Sequence, residues 1–69
     1  MDEQTLYNRI AELRAAKGLS QQQLADAIGV SRKTISTLET GRFTPSVVIA
    51  LQLAHYFAVP VEQIFRFEP

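Results

Sequence analysis

Arg32, Lys33, Ser36 and Thr37 place two cations and two hydroxyls within six consecutive positions. Side chains of these types can contact base edges in a DNA groove. Arg and Lys suit the O6 and N7 acceptors of guanine, and Thr can lie against a thymine methyl. Gln21 before this cluster, and Arg42 and Thr44 after it, are of types that contact the phosphate backbone and fix register without reading sequence. Two adjacent cations are often nothing more than solvated surface. Here they stand at the start of an expected helix, where the dipole disfavours positive charge by about a few tenths of a kcal/mol. That placement argues for a use.

Other chemistries find no support in the residues. The single histidine, His55, lies between Ala54 and Tyr56 on an expected helix, and nothing near it completes a metal site. There is no cysteine, hence no disulfide and no thiolate ligand, which fits a reducing cytosol. No Ser-His-Asp arrangement, metal-ligand cluster or Gly-rich phosphate loop is present. A chain of 69 residues also leaves little room for a pocket of roughly several hundred Å3. The expectation is no enzyme, no catalytic residue, no metal and no cofactor.

The charge balance bears on the partner. Seven basic residues meet seven acidic ones, so the net charge is zero. Domains that bind nucleic acid are often basic. The local sum is what acts at a surface, however. From Ser31 to Arg42 the chain carries Arg32, Lys33 and Arg42 against Glu39 alone, while Asp2, Glu3, Glu12, Glu62 and Glu68 lie elsewhere. A basic face on a neutral protein predicts modest nonspecific affinity. The longest apolar run, Val47 to Leu51, is far too short for a membrane span, and the acidic N-terminus is not that of a signal peptide.

The elements that must position these residues read as helices, five of them. Helix 1 is expected from Gln4 to Lys17, with Leu6, Ile10 and Leu13 as its inner stripe and Gly18 as its stop. Helix 2 follows Ser20, which with Gln23 forms an S-x-x-Q capping box, and it ends at Gly29. Helix 3 follows Ser31 as N-cap and ends at Gly41. Helix 4 begins near Pro45 or Ser46 and runs to about Phe57; a short helix 5 covers Val61 to Phe65, with Phe67 packing back from the tail. The fold class expected is all-α, a compact five-helix bundle in one domain, residues 1–69.

Counting from Gln21, Ala25 is the fifth residue, Gly29 the ninth and Ile35 the fifteenth. Two helices that cross steeply over a short turn need a small residue at the close approach, here Ala25. They also need a residue tolerant of positive φ in the turn, here Gly29. Ile35 and Leu38 fix the inward direction of helix 3. At about 100° per residue, Lys33 and Thr40 then point outward, flanked by Ser36 and Thr37, with Arg32 near the helix start.

The run Gly18-Leu19-Ser20-Gln21, Leu24-Ala25, Gly29-Val30-Ser31-Arg32, Thr34-Ile35-Ser36, Glu39 and Gly41 resembles the Cro/CI-type (Xre) family of phage and bacterial repressors. The likeness continues through Pro45-Ser46, Leu53-Ala54 and Val59 to Phe65. It implies the phage-repressor type of bundle, with helix 3 in the major groove of double-stranded DNA. It implies base reading by Arg32, Lys33 and Thr37, and a phosphate clamp at Gln21. It also implies an ion pair between Arg14 and Glu39 that is structural. A bacterial or phage origin and a cytoplasmic location follow as expectations.

Helix 4 departs from the family pattern by being apolar nearly all round. A core stripe needs only Ala50, Leu53, Ala54 and Phe57, which leaves Val48 on the outer face with Gln52 and His55. Excess apolar surface on so small a domain suggests an interface. The expectation is a homodimer on a palindromic operator, with Leu51, Tyr56, Val61, Ile64, Phe65 and Phe67 as candidate contacts. The competing expectation is an antitoxin-like module that grips another protein through helix 4 and the tail.

Overall fold

The computed structural model describes residues 6–42 and 44–67. In order they form β1 (Leu6–Asn8), α1 (Ile10–Ala16), α2 (Gln21–Ile28), α3 (Arg32–Glu39), α4 (Val47–Phe57), a single 3-10 turn (Val61–Gln63) and β2 (Phe65–Phe67). The all-α, five-helix expectation is therefore corrected. There are four α-helices and a two-stranded sheet, and the fifth helix is one 3-10 turn. The expected first residues of helix 1, Gln4 and Thr5, lie outside the described residues, as do Glu68 and Pro69.

Helix starts follow side-chain chemistry. The Ser20 hydroxyl accepts the Gln23 N–H while the Gln23 side chain accepts the Ser20 N–H, so the capping box is present in both directions. Ser31 and Ser46 accept from the N–H groups of Thr34 and Ile49. Each such cap satisfies a donor that the helix itself cannot. The turn between α2 and α3 holds Gly29 at φ 75°, as its lack of Cβ allows.

The strands account for the misread ends. β1 and β2 pair antiparallel, with Leu6 opposite Phe67, Tyr7 opposite Arg66 and Asn8 opposite Phe65. The apolar spacing of Leu6, Ile10 and Leu13 suits a helix, but the pairing with β2 claims Leu6 first. Asn8, the last residue of β1, then bonds to the start of α1. Its Oδ1 accepts the Ile10 N–H at 3.1 Å, and its Nδ2 donates to the Leu38 carbonyl at 2.9 Å. One side chain thus ties the start of α1 to the end of α3. The Arg9 N–H donates to the Ile64 carbonyl, binding the same corner to the 3-10 turn.

The core lies between α2, α3 and α4. Leu24 and Ala25 from α2, Ile35 and Leu38 from α3, and Leu53 from α4 are all buried. Each large side chain among them contributes about 1.5–3 kcal/mol of transfer free energy. Ile64 and Phe65 belong to this core as well, at 0% and 8% exposure. Both were expected in an interface between copies. That expectation is corrected: the fold of the chain itself consumes their surface. Among the described residues no helix is long and apolar enough to cross a membrane.

Candidate nucleic-acid interface

α2 and α3 pack against each other, and the first turn of α3 is open to solvent. Ala25 on α2 is fully buried. Ile35 and Leu38 anchor α3 from behind, which sets the outward face. Arg32 and Lys33 are exposed on its first turn, and Thr37 and Ser36 are half-buried beside them. The four side chains expected to read bases thus share one face.

The cations on this face form no ion pair among the described residues. Among the described residues the ion pairs are Arg9–Glu12 and Arg14–Glu39. Lys17 stands 5.7 Å over the Tyr56 ring. Arg32, Lys33 and Arg42 have no such partner. Arg42 and Thr44 are exposed in the loop after α3, on either side of a residue outside the description.

The hydroxyls of α3 are, by contrast, mostly occupied. Thr37 Oγ1 donates to the Lys33 carbonyl at 2.8 Å, and Thr40 Oγ1 donates to the Thr37 carbonyl at 2.7 Å. Ser31 Oγ lies 2.9 Å from Thr34 Oγ1. Ser31, Lys33, Thr34 and Thr37 line a shallow depression in the surface.

Behind the face lies a polar junction. Arg14 Nε and Nη2 donate to the Glu39 carboxylate at 2.8 and 3.2 Å, and its Nη1 donates to the Leu19 carbonyl at 2.8 Å. The hydrogen bond to Glu39 holds the Arg14 pKa above the ordinary guanidinium value, with burial acting the other way. Gln21 Nε2 donates to the same carboxylate at 3.0 Å. The side chain expected to clamp phosphate is therefore held by Glu39. One amide hydrogen and the backbone N–H of the first turn of α2 remain to it. Neither this contact nor the double role of Asn8 was visible in the sequence. Asn two residues before an apolar helical stripe is the one local signal that points to the latter.

The remaining candidate residues separate by burial. Leu51 is 57% exposed and Phe67 56%, whereas Tyr56 and Val61 are half-buried against the core. Val47 and Val48, at 75% and 65%, add to the apolar surface of α4.

Residues 10–64 match a family model described as helix-turn-helix. The chain is 38% identical over 63 residues to the HTH-type transcriptional regulator YgzD of Bacillus subtilis, covering 91% of this chain and 96% of that one. It is 41% identical over 63 residues, with the same coverage, to the HTH-type regulator MJ0272 of Methanocaldococcus jannaschii. Among solved structures it resembles the restriction-modification controller protein C.AhdI of Aeromonas hydrophila, with a TM-score of 0.73 and 38% identity. That likeness covers 80% of this chain and 83% of the other.

Proposed function

This chain belongs to the helix-turn-helix family, of the Cro/CI (Xre) type, and from that membership we infer that it binds double-stranded DNA sequence-specifically to regulate transcription. The observation that carries the reading is the outward face of α3, where Arg32 and Lys33 are exposed at the helix start and form no ion pair among the described residues. In a helix-turn-helix, the N-terminal residues of the second helix reach base edges in the major groove. Arg32, Lys33, Ser36 and Thr37 then read sequence, while Arg42, Thr44 and Gln21 hold phosphates. The Arg14–Glu39 pair lies behind this surface and is structural. Regulation is by repression: a protein seated over a promoter excludes the polymerase. The action is cytoplasmic, where bacterial and phage DNA is read.

A zero net charge makes one copy a weak binder, because phosphate neutralisation supplies most nonspecific affinity. Two copies related by a two-fold axis would meet a palindromic operator with half-sites about one helical turn apart. The exposed Val47, Val48 and Leu51 on α4 support contact with a second protein chain. They also favour a second reading, a regulator that additionally grips a different protein. A partner that copurifies with the intact chain and is lost on Leu51→Asp would establish it.

Selection of bound duplexes from a random pool tests the main reading. Lys33→Ala is expected to change the preferred bases. Arg42→Ala is expected to weaken all duplexes alike and to lower the slope of log affinity against log salt by about 1. An unchanged selected profile for Lys33→Ala would remove it from the base-reading set.

A further inference from the structure

The geometry points to the depression between Lys33 and Thr37 as a socket for a thymine methyl, in which Thr37 discriminates by its own methyl and not by its hydroxyl. The inference rests on the DNA-binding reading above and names what one part of that surface selects. A threonine facing DNA has two ways to read a base. Its hydroxyl can donate or accept, which suits any base edge, or its methyl can pack against the C5-methyl of thymine, which suits one base.

In this chain the donating half of the first way is closed, and the oxygen can only accept. The Thr37 hydroxyl hydrogen is directed back along α3 to the Lys33 carbonyl at 2.8 Å. Of the two heavy substituents on its Cβ, the methyl is the one without a partner. The carbonyl of Thr37 is also taken, by the Thr40 hydroxyl at 2.7 Å. The other wall of the depression behaves the same way. Ser31 Oγ accepts the Thr34 N–H at 3.1 Å and lies 2.9 Å from Thr34 Oγ1. Polar atoms around the depression are thus engaged within the helix, and the lining is mainly apolar, from Thr34 and Thr37, which carry methyl groups, and Lys33, which carries an aliphatic stem. An acceptor on a base would find no Thr37 hydroxyl hydrogen to bond there. A methyl group would lose its water at no polar cost. The Lys33 ammonium remains exposed at the rim to take an acceptor on the neighbouring base.

The test begins with duplexes carrying the selected site, in which each thymine in turn is replaced by deoxyuridine, removing only the C5-methyl. For the wild-type chain, one replacement per half-site is expected to weaken binding by about fourfold, the factor that burying one methyl group corresponds to. Thr37→Ser should bind the thymine and deoxyuridine duplexes equally. Thr37→Val, which keeps the methyl and lacks the hydroxyl, should retain the loss at the same position, whatever its overall affinity. The socket is overturned if no replacement weakens wild-type binding. It is equally overturned if Thr37→Ser keeps the loss, or if Thr37→Val abolishes it. The wild-type measurement needs no variant, so a misfolded substitution cannot rescue the idea. If the random pool yields no bound duplex at all, the DNA-binding reading itself falls.

Discussion

Glu39 joins three parts of the chain through one carboxylate: α3, which carries it, Arg14 of α1 and Gln21 of α2. Its side chain is 10% exposed and that of Arg14 is 21%. A charge pair so placed is strengthened by its surroundings but still partly solvated. The expected coupling in a double-mutant cycle of Arg14→Met and Glu39→Gln is about 1–2 kcal/mol, below the loss from breaking a fully buried pair. Unfolding of the two single variants and the double variant by urea measures it, and coupling near zero would reduce the pair to a surface contact. The partners are 25 positions apart, and no spacing rule connects them. The pair was anticipated only through the family resemblance, and the third member, Gln21, was assigned elsewhere. The base-reading candidates were legible for a different reason. Ile35 and Leu38 define the buried side of α3, and helical geometry alone then fixes what lies opposite.

At the scale of the element, local chemistry was legible and distant pairing was not. Ser20, Ser31 and Ser46 each announce a helix by a bond spanning three residues. Val61 to Phe65 was read as a helix, yet Phe65, Arg66 and Phe67 alternate as a strand does. Three residues are too few to show a period without their partner strand. The end of α4 was read at about Phe57 and lies there, but no glycine announces the form of its cap. Ala58 caps it at φ 57°, in the left-handed region, and its N–H reaches the carbonyls of Ala54 and His55. For a residue with a Cβ that conformation costs about 1–2 kcal/mol. Glycine would remove the strain but adds freedom to the unfolded chain, worth about 0.4–1 kcal/mol. Ala58→Gly is therefore expected to stabilise, raising Tm by roughly 2–8 °C. The reverse change at the turn, Gly29→Ala, should destabilise by about 1 kcal/mol, for conformational reasons alone. A Cβ built there meets nothing within 4 Å. Calorimetry of both variants checks the pair of signs, and a lower Tm for Ala58→Gly would contradict the left-handed cap.

For the whole molecule the question is how a neutral chain gains affinity. Three of its seven cations lie between residues 32 and 42. We propose that the rest of the gain comes from a second copy, through the apolar side of α4. Leu51→Asp is expected to leave the fold intact, since Leu51 is 57% exposed, and to shift the sedimenting mass from dimer to monomer at micromolar concentration. Operator binding should weaken in parallel. A wild-type monomer, with and without DNA, would place the source of affinity elsewhere. The β1–β2 pair has a different kind of consequence. Leu6 and Phe67, its outermost partners, are 61 positions apart along the chain. Closing so long a loop costs more entropy than forming the α2–α3 turn, whose contacts are nearly all local. During synthesis, β1 must wait until β2 has left the ribosome. The helices that face DNA can assemble on the nascent chain before this clasp shuts.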